Sequence, residues 1–218
     1  MTKLWDRYKE SWSDRRFRFS APAAIAVFAV SVVVSFYAIA YATERASNSV
    51  TDIILSNTPI FNVDGLMVAG TLLLIAVITL LFLHHPKHIP FGLHTLALFF
   101  FIRSAFTIAT HVASFPIPAA NTPDISSAIG RFFFGFGGDL FFSAHTAVPF
   151  VMALMFWHDK PKRYLFLAWS VAFGGVVLLG HLHYTIDVFS AFFIGFGIYH
   201  IALWAFPKER ALFLADTK

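Results

Sequence analysis

Long apolar runs alternate with short polar segments along almost the whole chain. Six of these runs contain the roughly 20 mostly apolar residues that an α-helix needs to cross a bilayer. The pattern predicts an all-α integral membrane protein with one domain of six transmembrane helices, 21–206, flanked by segments 1–20 and 207–218. The predicted spans are 21–42, 66–83, 91–111, 140–157, 164–182 and 188–206.

The first 20 positions mix aromatic and basic residues. Trp5, Tyr8 and Trp12 are spaced by three and four residues, which places them on one face of a helix. A helix of this kind lies along the membrane surface, and a plain charged flank with interfacial Trp anchors is an equal alternative. A third reading is a cleaved signal peptide, with Ala38 and Ala40 at the cleavage site. The long charged leader and the full-length apolar run favour an uncleaved anchor.

Lysines and arginines are concentrated on one side of the predicted spans. Thirteen of the 16 lie in the N-terminal segment, in the loops after the second and fourth spans, and in the C-terminal tail. Arg45 and Arg131 lie on the opposite side, and Arg103 lies within the third span. Because basic loops remain in the cytoplasm, both termini and their flanking segments are predicted to be cytoplasmic. The loop 113–138, which contains several prolines and glycines, is then extracytoplasmic and irregular.

The composition agrees with a lipid-facing surface. Charged residues make up 13% of the chain, against about 25% in a soluble domain. The net charge of +4 follows from the topology and does not indicate a nucleic-acid partner. The chain has no cysteine, which excludes disulfides, thiolate metal sites and a cysteine nucleophile.

Polar residues that carry chemistry lie at the extracytoplasmic ends of two spans. Ser143 and His145 open the fourth span, and His183 and Asp187 open the sixth. A spacing of four places His183 and Asp187 on one face of a helix. A carboxylate bound to one imidazole nitrogen fixes the tautomer and leaves the other nitrogen able to attack. His145 supplies a second imidazole that can protonate a leaving oxygen.

Positive charge for a phosphate is available from two sources. Helix N-terminal amides at the start of the fourth span form an anion site. Arg103 can reach the same pocket with a guanidinium suited to phosphate oxygens, although a buried ion pair or a snorkelling side chain would also explain it. Asp139 either orients His145 or caps the helix.

The other histidines are expected to lie outside the site. His111 and His181 are predicted to be interfacial, and the cluster at 84–88 lies towards the cytoplasm. That cluster has no nearby carboxylates of the kind a metal site would use. The sequence therefore predicts no metal and no other cofactor.

Two segments resemble the signature motifs of a known family. Residues 138–146 read Gly-Asp-Leu-Phe-Phe-Ser-Ala-His-Thr, and residues 183–188 read His-Tyr-Thr-Ile-Asp-Val. Both are similar to motifs of the sphingomyelin synthase-like branch of the type 2 phosphatidic acid phosphatase (PAP2) superfamily. The stretch 103–118 is similar to a third motif of that branch, and the resemblance extends over about 103–199.

The resemblance implies a PAP2-like helical bundle and a role for each polar residue. His183 would be the nucleophile that takes the phospho group, His145 the acid and then the base, and Asp187 the partner of His183. Beyond these three residues, the sequence itself predicts four in contact with phosphate or substrate: Arg103, Asp139, Ser143 and Tyr184.

Two departures from the family pattern bear on the substrate. The first is Ala144, which replaces the usual glycine of Ser-Gly-His-Thr. The second is the loss of two motifs of the classical phosphatase branch. Val176 and Val177 stand where that branch has a Ser-Arg pair, and its Lys-x6-Arg-Pro motif is missing. A dianionic phosphomonoester would need two or three cations, whereas a monoanionic diester needs fewer. The sequence therefore favours a phospholipid headgroup phosphotransferase or phospholipase C-like hydrolase, with a lipid alcohol or water as acceptor. The alternatives are a lipid phosphomonoester phosphatase and a non-catalytic transporter or structural membrane protein, and a homo-oligomer is left open.

Overall fold

The structure, a computed structural model, describes residues 4–116 and 140–215. All regular structure in these two ranges is helical, and short 3₁₀ turns occupy Leu55–Asn57 and Pro86–His88. The α-helices are α1 (Leu4–Ser13), α2 (Arg15–Glu44), α3 (Asp64–His84), α4 (Ile89–Ala109), α5 (Ala144–Met155), α6 (Lys160–Leu179), α7 (Thr185–Ala205) and α8 (Pro207–Ala215).

Five of the described helices are long and apolar enough to cross a membrane. They are α2, α3, α4 with its preceding 3₁₀ turn, α6 and α7. They overlap five of the six predicted spans and confirm the all-α membrane fold. The first begins at Arg15 rather than at residue 21, because Asp14 caps it by accepting a hydrogen bond from the Arg16 N–H at 2.8 Å.

The span predicted at 140–157 is a shorter helix than expected. Helix α5 has 12 residues, which corresponds to about 18 Å of rise, against a hydrocarbon core of about 30 Å. Residues 140–143 are not helical, and Phe142 has a left-handed backbone with φ of 30°. The apolar run is long enough for a span, but its first residues form the turn that carries the motif.

Small residues allow the first long helix to approach the bundle closely. Helix α2 packs along α4, and close backbone approach of this kind is typical of helix pairs in membranes. Its buried face consists mainly of small side chains at helical spacing: Ala21, Ala24, Ser31, Ser35, Ala38 and Ala42.

The largest core cluster surrounds α5. Val151 and Met152 of α5 are fully buried between residues of the neighbouring helices, including Phe91 and Phe166. A smaller cluster around Phe142 lies directly against the start of α5. The helix that begins at the motif therefore has most of its residues in the core of the bundle.

The segments at both ends of the chain are helical. Helix α1 is attached to the α3–α4 connection, where Lys87 pairs with Glu10 at 2.5 Å and Arg7 donates to the His84 carbonyl at 3.0 Å. Trp5 is exposed, as an interfacial helix requires, but the position of α1 on a membrane stays a prediction.

The predicted C-terminal tail is a docked helix as far as the described residues reach. In α8, Phe213 is fully buried and stacks on His88 with 4.1 Å between ring centroids. Arg210 donates to the Met155 carbonyl at 3.2 Å, directly at the end of α5. Helix α8 therefore covers the end of α5 opposite the motif.

Candidate active site

His183 lies in the connection between α6 and α7, just before the start of α7. The Asp187 carboxylate lies in the first turn of that helix and accepts a hydrogen bond from the Tyr184 N–H at 3.0 Å. The same oxygen is 3.4 Å from His183 Nδ1, and both side chains are buried. The predicted contact is present, but its predicted cause is wrong, because His183 precedes α7 and does not share a helical face with Asp187. A distance of 3.4 Å is long for a hydrogen bond.

His145 faces His183 from the first turn of α5. The two imidazole ring centroids are 6.2 Å apart, and the His145 ring is stacked on Phe173 at 6.2 Å. The Ser143 N–H donates to the Asp187 carbonyl at 3.0 Å, which joins the two motif segments through their backbones. The structure thus brings together three residues that are separated by up to 42 positions in the sequence.

Arg103 braces the turn that leads into α5. Its side chain is 2% exposed, and its Nε donates to the Phe142 carbonyl at 3.2 Å. A non-glycine residue with a left-handed backbone costs about 1–2 kcal/mol, and a hydrogen bond from a charged donor contributes about 1.5–3 kcal/mol. The arginine therefore stabilises the conformation of the motif turn, while its contact with phosphate stays a prediction.

Ser143 occupies the N-cap position of α5 without capping it. Its backbone has the extended conformation of an N-cap, but its side chain accepts no hydrogen bond from the helix. Its Oγ is fully buried and has no hydrogen-bond partner in the part of the chain that the structure describes. A buried hydroxyl at a helix N-terminus is positioned to bind an anion there.

Tyr184, predicted to contact substrate, has its hydroxyl engaged within the protein. The hydroxyl donates to the Ala113 carbonyl at 2.8 Å and accepts a hydrogen bond from the Val50 N–H at 3.2 Å. Burial, together with the nearby carboxylates, raises the pKa of the Tyr184 phenol, so it stays neutral and can donate. These contacts favour a structural role, in which Tyr184 fastens two loops to the start of α7.

Asp52 is a site-supporting residue that the sequence did not reveal. Its carboxylate accepts hydrogen bonds from the Thr185 N–H at 2.7 Å and from the Thr185 hydroxyl at 2.8 Å. Burial raises the pKa of Asp52, but these bonds and those from Leu55 and Ile54 outweigh burial, so the pKa lies below its ordinary value. The only local signal was an Asp able to bond the backbone two residues later, and the bond to Thr185 spans 133 positions.

The remaining predicted residues have different outcomes. Asp139 and Arg131 lie outside the described residues. His181 was expected at the interface, but it is buried at 6% exposure beside Phe115. His85 and His88 stack on each other with 5.0 Å between ring centroids.

A known protein family matches the part of the chain that carries both histidine segments. Residues 137–204 match the family model described as PAP2 superfamily C-terminal. Over 79 residues, the chain is 35% identical to phosphatidylcholine:ceramide cholinephosphotransferase 1 of Caenorhabditis elegans, and this alignment spans 34% of the chain and 16% of the nematode protein. No solved structure matches the chain. The resemblance of the motifs is confirmed over this region.

Proposed function

We propose that this chain cleaves the phosphodiester of a phospholipid headgroup and transfers the phospho group, through a phosphohistidine on His183, to a lipid alcohol or to water. The observation that carries the proposal is the opposition of two imidazoles at 6.2 Å, one of which has a carboxylate at its Nδ1. The nematode relative is named for cholinephosphate transfer between phosphatidylcholine and ceramide, which is a reaction of this class.

In the first step, His183 is the nucleophile. Asp187 beside Nδ1 favours the tautomer in which Nε2 carries the lone pair. Nε2 forms a bond to phosphorus as the bond from phosphorus to the diacylglycerol oxygen breaks. The electron pair of the broken bond stays on that oxygen, and the His145 imidazolium donates a proton to it. The products are diacylglycerol and a phosphohistidine that carries the headgroup.

In the second step, His145 acts as the base and His183 becomes the leaving group. The hydroxyl of the acceptor attacks phosphorus while neutral His145 removes its proton. The nitrogen–phosphorus bond breaks, and its electron pair returns to His183. Asp187 stabilises the imidazolium character that His183 has while it is bonded to phosphorus. Both histidines end in the states in which they began.

The charge near the site supports a diester donor over a monoester. Arg103 is the arginine beside the motif turn, and its Nε already donates to the Phe142 carbonyl. Within residues 4–116 and 140–215, this arginine and the N-terminal amides of α5 suit the single charge of a diester. A dianionic monoester would be poorly neutralised there, and its desolvation would be costly.

The proposal is tested with purified protein in lipid nanodiscs and three labelled donors. These are phosphatidylcholine, phosphatidylethanolamine and phosphatidic acid, each supplied with and without ceramide, with products identified by mass. We expect diacylglycerol from at least one diester and much slower turnover of phosphatidic acid. Faster turnover of phosphatidic acid than of every diester would replace the proposal with a lipid phosphomonoester phosphatase.

A further inference from the structure

A third histidine lies beside the catalytic pair, in the turn that joins α6 to α7. His181 is two residues before His183 and is 6% exposed. Neither of its ring nitrogens has a hydrogen-bond partner among residues 4–116 and 140–215. A buried polar group without a partner is destabilising, and native structures rarely keep one without a functional reason.

The backbone of His181 is unfavourable for a histidine as well. Its N–H donates to the Leu178 carbonyl at 3.0 Å, and the next N–H, of Leu182, donates to the Val177 carbonyl at 2.9 Å. These two bonds form the Schellman motif that ends α6, and His181 occupies its left-handed position with φ of 52°. Glycine, or else asparagine, is the usual residue at this position. The imidazole itself makes none of the capping bonds.

The imidazole at this position therefore neither favours the backbone conformation of the turn nor makes a hydrogen bond within the described residues. Among the described residues, Phe142 and His181 are the non-glycine residues with a positive φ. Phe142 immediately precedes Ser143 in the motif turn, and His181 is in the connection that carries the nucleophile. Strained backbone of this kind is concentrated at active sites and ligand-binding sites.

The surroundings of His181 indicate which ligand its ring would bind. The ring packs edge-on against Phe115 with 5.5 Å between centroids, and Phe115 also contacts Tyr184 at 6.1 Å. Phe115 packs against an apolar cluster that includes Leu55 and Leu140, so the surroundings of the ring are apolar. A neutral imidazole has one donor nitrogen and one acceptor nitrogen. A phosphodiester carries only acceptors, so a hydroxyl is needed to satisfy the acceptor nitrogen.

We propose that His181 is a substrate-binding residue that hydrogen-bonds the hydroxyl of an acceptor lipid alcohol next to the phosphohistidine. This inference rests on the proposed function and adds that the second step uses a lipid alcohol in preference to water. The acceptor nitrogen of the ring accepts a hydrogen bond from this hydroxyl while His145 is still the protonated acid, and the donor nitrogen contacts another oxygen of the acceptor lipid. Once the phosphohistidine has formed and His145 is neutral, the O–H turns from His181 to His145, which removes the proton.

The test uses variants that ease the backbone while they remove the imidazole. His181→Gly and His181→Asn both suit a positive φ, so the melting temperature should stay equal or rise. We expect a KM for a short-chain ceramide or diacylglycerol acceptor that is about tenfold higher in His181→Gly. The ratio of transfer to hydrolysis should fall by the same factor, and the acceptor KM should change more than the donor KM does. His200→Asn, an exposed histidine near the other end of α7, is the matched control.

Each outcome decides between the inference and its alternatives. A folded His181→Gly with an unchanged transfer-to-hydrolysis ratio overturns the inference, as does a rise in the donor KM alone. If His181→Gly does not fold, the same measurements on His181→Asn decide, because asparagine offers a shorter side chain that does not reach the same hydroxyl. A wild-type protein that cleaves no phospholipid at all refutes the proposed function instead, so the two failures are distinguishable.

Discussion

Replacing Asp187 by asparagine separates the chemistry of the site from its stability. The amide keeps the size of the carboxylate, but a single carboxylate oxygen faces both the Tyr184 N–H and His183 Nδ1. An amide NH₂ in that place gives up the Tyr184 bond and donates to His183 Nδ1, so that the proton of the ring moves to Nε2. The lone pair that attacks phosphorus is then lost, and the imidazolium loses its counter-charge.

The two consequences differ greatly in size. A wrong tautomer beside an amide lowers turnover by about 10⁴-fold in a comparable carboxylate–histidine pair, which corresponds to about 5.4 kcal/mol of barrier. Removal of one negative charge from the first turn of a helix costs about 0.3–1 kcal/mol of stability. A protein stable by at least several kcal/mol would remain folded, so unfolding cannot account for the loss of activity.

The assay measures diacylglycerol release and trapped phosphoenzyme from a diester labelled in its headgroup phosphate. Asp187→Asn should give less than a thousandth of the wild-type rate, and its melting temperature should change by only a few degrees. Asp64→Asn is the matched control, because Asp64 lies in the first turn of α3 and should leave the rate unchanged. A rate for Asp187→Asn within tenfold of wild type would refute the role of Asp187 as partner of the nucleophile.

Three further predictions concern the acid, the loop anchor and the topology. His183→Ala should abolish the acid-labile phosphoenzyme, whereas His145→Ala should still form it from a donor with a very good leaving group, which needs no acid; phosphoenzyme in His183→Ala would refute the mechanism. The pKa of Asp52 is lowered in the folded state. The ionised carboxylate should therefore stabilise the folded protein fully above about pH 4, and this contribution should be lost as the pH falls through the folded pKa. Melting curves of Asp52→Asn and wild type should therefore converge in acid, and a difference that grows in acid would contradict this. Reporters fused after Lys218 and inserted at Thr122 should be cytoplasmic and extracytoplasmic, respectively, and the opposite result for Thr122 would place the site on the wrong side.

The sequence predicted the helices and the contact of His183 with Asp187 better than it predicted the residues that support them. A spanning segment must satisfy its own backbone groups, so the apolar runs located five helices directly. The short length of α5 was not predicted, because hydropathy contains no information on the left-handed backbone at Phe142 or on the hydrogen bond from Arg103 that stabilises it. The contact of His183 with Asp187 was predicted correctly, but from a shared helical face. In the structure, Asp187 in the first turn of α7 contacts His183 in the connection before that helix.

Contacts between distant loops could not be predicted from the pattern of apolar and polar residues. The bond from Thr185 to Asp52 joins two segments that no motif connects. The tyrosine of the second motif looked like a substrate ligand, because nothing local indicates that its hydroxyl binds Ala113 and Val50. These contacts depend on tertiary structure, which single-sequence reasoning reaches only through a recognised motif.

The docking of α8 under the short helix α5 has a consequence for membrane permeability. A 12-residue helix leaves a gap towards the basic side of the bundle, and the buried ring of Phe213 with the Arg210–Met155 bond lies there. Under the proposed function the histidine site has to admit a lipid headgroup from one leaflet, and we expect the docked α8 to keep that entrance from continuing to the other leaflet as a pore or a path for flipping lipids. A protein truncated before Pro207 would then retain its histidines and yet make vesicles leak ions, so α8 is best kept in any shortened form used for reconstitution.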